Sequence, residues 1–216
     1  MSAERGRHTI VKVCGITRIE DARLALDAGA DWLGFVVWEG SPRRIAVADA
    51  AAILAQLPQA TGVLVMVAPT PDEALTAARA IGARRIQLHR VDPAAWPEDF
   101  PLPTAFAVPV GENGEPQGNL PPPDRLLLLD TADERLPGGT GRVFPWARAE
   151  ALAARRPVML AGGLDGTNVA DALERVKPFG VDAASRLEAS PGLKDHDLVI
   201  RFVAAVRAHD ARRGAA

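Results

Sequence analysis

Cysteine is nearly absent: Cys14 is the only one in 216 residues. A lone cysteine cannot close an internal disulfide or build a cysteine-based zinc site, and it suits a reducing compartment. No stretch approaches the roughly 18 apolar residues of a membrane span. Met1 to Lys12 carries Glu4, Arg5, Arg7 and His8 with no apolar run between them, so no leader is expected and the predicted location is cytoplasmic. Charge of one sign is also missing, since 25 Lys and Arg stand against 27 Asp and Glu, a net −2. Nucleic acid and anionic membranes select a clustered positive excess, so neither is an expected partner. No pair of His, Cys, Asp or Glu has convincing metal-ligand spacing, and neither a G-x-S-x-G elbow nor a P-loop occurs. No metal site is expected.

What is present is a core. Apolar residues make up 48% of the chain, with 19 Gly and 18 Pro to punctuate it, a profile of globular rather than disordered protein. Eight short runs rich in Val, Ile and Leu recur: Ile10–Cys14, Trp32–Val37, Val63–Val67, Arg85–Leu88, Thr104–Val110, Arg125–Leu129, Pro157–Ala161 and Val181–Ala184. Few of their residues alternate with polar ones, as expected of parallel strands buried on both faces. Helical spacing predicts helices over Ile19–Ala28, Val47–Leu57, Pro71–Ile81, Ala147–Arg155, Gly166–Val176 and Asp195–His209. After Val110, GENGEPQGNLPPPD is too rich in Gly and Pro for a helix and reads as a surface loop.

No composition shift marks a boundary. The predicted fold is therefore α/β, a single (βα)8 TIM barrel spanning residues 1–216 with a degenerate, loop-like fifth helix. An open doubly wound sheet has much the same local pattern. In a barrel the chemistry belongs at the C-terminal ends of the strands.

Side-chain alternation puts Lys12 and Cys14 on one face of the first strand and Val11 and Val13 on the other. A thiol with an ammonium on the same face could have a lowered pKa and act as base or nucleophile; a buried structural cysteine is the competing reading. Asp130 ends the inward row of Leu126 and Leu128, where desolvation would favour a general acid, or it caps the next segment. Gln87 and His89 share a face in the same way, as structural or ligand-binding groups. Gly138-Gly139-Thr140-Gly141, Ala161-Gly162-Gly163-Leu164 and the turn at Ser185 follow late strands, where backbone N–H groups can cradle a phosphate. His8, His196 and His209 read as solvated or capping residues, and the four tryptophans as packing anchors.

Taken in order, VKVCGITRIEDARLALDAGADWLGFVVWEGSPRRI, IQLH, LLLLD, GGTGRVFPW, LAGGLDGTNV and VDAASRLEASPGLKD resemble the phosphoribosylanthranilate isomerase family of tryptophan biosynthesis, from Val11 to about Val206. The resemblance implies a small (βα)8 barrel and an aldose–ketose isomerase of aromatic amino-acid biosynthesis. Its reaction is the Amadori rearrangement of phosphoribosylanthranilate to carboxyphenylamino-deoxyribulose phosphate. It assigns Cys14 as general base, Asp130 as general acid and Arg43 to the anthranilate carboxylate, with Gln87, His89 and Asp182 lining the same pocket. Gly141, Gly162, Gly163, Ser185 and Arg186 fall in its phosphate-binding loops. The substrate's imine is its own electron sink, so no cofactor is expected; the partner is a phosphosugar, and the protein a monomer or homodimer. Arg90 and Arg186 stand where the family pattern has glycine, and the third strand reads VLVMVA in place of GVFVN. Readings of other classes are a non-catalytic sugar-phosphate-binding barrel and a related phosphosugar isomerase or epimerase.

Overall fold

The computed structural model describes residues 8–131 and 145–214. Eight parallel strands follow one another along the chain, with helices between most of them: β1 (Ile10–Cys14), α1 (Ile19–Asp27), β2 (Trp32–Val36), α2 (Val47–Ala55), β3 (Thr61–Val67), α3 (Pro71–Ile81), β4 (Arg85–His89), β5 (Thr104–Val110), β6 (Leu126–Thr131), α4 (Ala147–Ala153), β7 (Val158–Leu160), α5 (Val169–Val176) and β8 (Gly180–Ala183). A short antiparallel hairpin, β9 (Glu188–Ser190) and β10 (Leu193–Lys194), precedes the closing helix α6 (His196–Gly214). Each strand pairs with the next, and β1 also pairs with β8, aligning Lys12 with Asp182. That last pairing makes a closed barrel and excludes the open sheet.

The strands are apolar on both faces because each face has its own core. Val11, Val13, Leu33 and Phe35 point outward and pack with Ala22, Ala25, Phe202 and Val203 of the flanking helices. Ile10, Trp32, Val63, Leu126, Leu128 and Met159 fill the barrel interior. Cys14, Val36 and Val65 form a separate apolar patch.

Local chemistry sets the element ends. In α3 the Thr70 hydroxyl accepts from Glu73 N while the Glu73 carboxylate accepts from Thr70 N, Pro71 opens the helix and left-handed Gly82 closes it. The predicted start of α5 at Gly166 is three residues early. Asp165 Oδ1 accepts from Thr167 N, and Asn168 Oδ1 accepts from Asp165 N, so local side-chain bonds hold these residues in a turn.

Residues 111–125 contain no helix, as the Gly and Pro content predicts. The Arg156 guanidinium donates to the carbonyls of Pro121, Pro122 and Arg125, holding a backbone that has few donors of its own. The fourth unit is irregular too, with only a 3-10 turn at Pro93–Ala95 between β4 and β5. Trp96 covers that flank, its ring 5.0 Å from Phe100 and 6.4 Å from Phe106. At the other end Arg207 of α6 donates to the carbonyls of Thr9 and Gly29 and pairs with Asp31, pinning the last helix beneath β1.

Candidate active site

Inward-facing positions near the C-terminal ends of four strands are polar and buried: Lys12 of β1, Gln87 and His89 of β4, Asp130 of β6 and Asp182 of β8. A cavity opens there, lined by Cys14, Gln87, His89, Asp130 and Asp182 from the strands and by Arg43, Gly162, Gly163, Ser185 and Arg186 from the loops. Gly138-Gly139-Thr140-Gly141 lies outside the described residues; every other residue expected to act in catalysis or bind substrate lines this one cavity. Among the described residues no group of three or more His, Cys, Asp or Glu could hold a metal ion, and no helix is long and apolar enough to cross a membrane.

Lys12 does lie beside the thiol, with a consequence opposite to the one read from sequence. Its ammonium donates to Asp182 Oδ2 at 2.8 Å, and both side chains are buried. Burial pushes the Cys14 thiol above its ordinary range; Lys12 pulls it down, while Asp182 pushes it up again. The ammonium is already neutralised, so desolvation wins. Lys12 itself is held above its usual value, because Asp182 and Cys14 together outweigh the cost of its burial. Gly34 of β2 makes the arrangement possible: a Cβ there would stand 2.7 Å from Cys14 Sγ and 3.0 Å from Lys12 Nζ. An isolated glycine inside a strand pattern is the sequence signal for such close approach. The second carboxylate oxygen, Asp182 Oδ1, is buried without a hydrogen-bond partner among the described residues.

Gln87 Nε2 lies 2.9 Å from His89 Nε2. An amide nitrogen can only donate, so the ring nitrogen accepts and the neutral imidazole carries its proton on Nδ1. Burial, followed by the charges of Lys12 and Arg90, lowers the His89 pKa to about 4. Across the barrel, Asp130 Oδ1 accepts from Thr131 N at 2.8 Å. Gly162 and Gly163 both have positive φ, 85° and 64°. A side chain on Gly162 would strike Thr131 Oγ1 and come within 2.9 Å of Thr131 N and 3.1 Å of Asp130 Oδ1, so the glycine keeps space for the carboxylate as well as exposing backbone.

Arg43, in the loop after β2, is clamped by Glu188 of β9, which Lys194 of β10 grips from the other side. Neither Glu188 nor Lys194 stood out in the sequence. Arg186 pairs with Asp165 at 3.1 Å and is about half exposed. Trp38 packs against the patch of Cys14, Val36 and Val65, as expected of a packing residue, and lying past the end of β2 it also lines the cavity, with the Arg90 guanidinium 6.0 Å from its ring centre. The remaining histidines pair with carboxylates instead, His8 with Asp31, His196 with Asp21 and His209 with Glu174.

Comparison with known proteins agrees with the barrel fold. An N-(5'-phosphoribosyl)anthranilate isomerase of Pseudomonas fluorescens (strain Pf0-1) is 41% identical over 91% of this chain and 97% of its own. The crystal structure of phosphoribosyl anthranilate isomerase from Thermus thermophilus superimposes with a TM-score of 0.79 at 34% identity, covering 93% of this chain and 99% of the other. A second structure, 30% identical with a TM-score of 0.74 over 93% and 99% of the two chains, is a phosphoribosyl anthranilate isomerase in complex with reduced 1-(o-carboxyphenylamino)-1-deoxyribulose 5-phosphate. The model of the N-(5'-phosphoribosyl)anthranilate (PRA) isomerase family matches residues 11–205, and the chain belongs to that family.

Proposed function

We infer that this barrel isomerises N-(5'-phosphoribosyl)anthranilate in tryptophan biosynthesis, and we propose that Cys14 is its general base and Asp130 its general acid. The observation that carries the assignment is that these two residues, from β1 and β6, line one cavity together with Arg43. Asp130 protonates the ribose ring oxygen, the C–O bond breaks, and the nitrogen lone pair forms a protonated imine. The Cys14 thiolate then takes the proton from the adjacent carbon, whose electrons flow into the imine to give an enolamine. Tautomerisation to the ketone completes the Amadori rearrangement. The imine is a new cation at the carbon next to the proton to be removed, so its formation favours the thiolate that burial otherwise disfavours.

The remaining groups bind. Arg43 offers a planar fork to the anthranilate carboxylate. Positive-φ Gly162 and Gly163, with the turn at Ser185 and Arg186, are assigned to the phosphate, as is Gly141 from the resemblance alone. Gln87, His89 and Asp182 are assigned to the sugar chain; the unpartnered Asp182 Oδ1 is an acceptor suited to a hydroxyl. The proposal includes one domain over residues 1–216, because the sheet closes only when β1 meets β8. It also includes a cytoplasmic location and action as a monomer or homodimer, every described site residue coming from one chain.

The test is loss of substrate fluorescence on mixing with freshly made phosphoribosylanthranilate. Cys14→Ala and Asp130→Asn should each lower kcat by about a hundredfold or more, with fold confirmed by circular dichroism. Near wild-type turnover in either variant removes that residue from its role.

A further inference from the structure

Glu188 stands at the start of β9 with its carboxylate buried between two cations. Arg43 Nε donates to Oε1 at 2.9 Å and Oε2 at 3.0 Å, and Arg43 Nη2 lies 2.9 Å from Oε2. Lys194 Nζ donates to Oε1 at 2.8 Å and to the Ala184 carbonyl at 3.3 Å. The side chains are 3% exposed for Glu188, 0% for Lys194 and 11% for Arg43. Arg43 N also donates to Ser41 Oγ at 3.1 Å, which fixes the loop that carries it.

Two consequences follow from this geometry. Glu188 grips the guanidinium side-on, through Nε and one N–H of Nη2, and leaves the end-on edge, Nη1 with the second N–H of Nη2, to face another acceptor. The cluster also holds two positive charges against one negative. Burial, with a smaller push from Arg43, holds Lys194 below its ordinary value, while Glu188 pulls upward and favours the charged ammonium. A buried surplus of one positive charge is costly unless an anion joins it, and Arg43 lines the cavity from which one can come.

We propose that Glu188 is a positioning residue which, backed by Lys194, presents the end-on edge of Arg43 to the substrate's arylcarboxylate, so that the β9–β10 hairpin sets selectivity for an ortho-carboxylated aniline. The proposal rests on the assignment of Arg43 to that carboxylate. It predicts that loss of Glu188 weakens recognition of the carboxylate far more than recognition of the phosphosugar.

Two probes separate these: reduced 1-(o-carboxyphenylamino)-1-deoxyribulose 5-phosphate and its phenylamino counterpart without the carboxylate, each titrated calorimetrically. Glu188→Gln should cut the preference for the carboxylated probe at least tenfold, move affinity for the other less than threefold, and raise KM more than it lowers kcat. Glu188→Asp keeps the charge but shortens the reach; it should fall between wild type and Glu188→Gln, and it serves if the amide variant folds poorly. In an Arg43→Ala background, Glu188→Gln should change the preference less than twofold. Equal losses on both probes, an unchanged preference, or losses that add in the double variant would overturn the proposal. If Arg43→Ala alone leaves the preference intact, the Arg43 assignment fails and this proposal with it. Because binding is read without turnover, that result stays distinct from a failure of the isomerase reading, which the fluorescence assay reports.

Discussion

Lys12 Nζ and Asp182 Oδ2 meet at 2.8 Å across the seam where β1 and β8 close the barrel, and the pair governs the thiol above it. Burial disfavours the thiolate, and the ammonium that could stabilise it is shared with a carboxylate, so Cys14 stays protonated more readily than an ordinary cysteine. Alkylation of Cys14 in the free protein should therefore still be accelerating above pH 9, the ordinary thiol value. Asp182→Asn removes the opposing charge and releases Lys12, which should move the rate profile to lower pH. A profile that stays in place would mean that Asp182 does not tune the thiol. Breaking a buried ion pair commonly costs about 3–5 kcal/mol, so the variant should also melt earlier.

Gly162→Ala should damage catalysis more than binding. The new methyl needs a left-handed residue at φ 85° and crowds Thr131 and the Asp130 carboxylate. Strain of this kind costs about 1–3 kcal/mol, and relief by displacement moves the proposed acid. We expect kcat to fall tenfold or more while inhibition by inorganic phosphate changes less than threefold. A larger effect on phosphate than on kcat would make Gly162 a phosphate contact first.

Much of this was legible in the sequence because strands buried on both faces leave continuous apolar runs, and β1 and β5 match those runs residue for residue. Cys14, Gln87, His89 and Asp130 could be placed inward because alternation is a local property. The Glu188–Arg43 contact spans 145 residues of sequence and depends on the short hairpin from Glu188 to Lys194, with no periodicity to announce it. The pairing of Lys12 with Asp182 depends on barrel closure, so the sign of its effect on Cys14 was hidden too. That Trp38 lines the cavity as well as packing was hidden, because a tryptophan just past a strand end looks the same in sequence whether or not it also faces a cavity.

His89 should make the protein sensitive to acid. Its folded-state pKa is about 4, set by burial and then by Lys12 and Arg90, against an ordinary value of 6.5. Between those values the unfolded chain binds a proton that the folded chain refuses. The stability contributed by this group is thus complete above about pH 6.5 and is lost as pH falls toward 4. From pH 7.5 to 5 the loss is roughly 2 kcal/mol. Urea titrations at the two pH values should show a smaller decline for His89→Gln than for wild type; equal declines would mean that the imidazole is protonated in the folded protein.

The two arginines at family glycine positions should respond to substitution in opposite ways. Arg90 retains a left-handed backbone, φ 54°, which a side chain adopts only at a cost of about 1–2 kcal/mol. Position 186 lies in a 3-10 turn without positive φ. Arg90→Gly should therefore be more stable than Arg90→Ala by about 1 kcal/mol, whereas Arg186→Gly should be no more stable than Arg186→Ala. Comparing glycine with alanine cancels loss of the Trp38 contact in one case and of the Asp165 ion pair in the other. Binding separates the sites further. The Arg186 guanidinium already has Asp165 at 3.1 Å and is 46% exposed, and such pairs are worth about 0–1 kcal/mol. Arg186→Gly should accordingly raise the inhibition constant for inorganic phosphate by less than tenfold at low salt, and by still less at high salt, where screening removes distant attraction. A tenfold or larger loss, about 1.4 kcal/mol, that persists at high salt would show Arg186 leaving Asp165 to bind the phosphate directly.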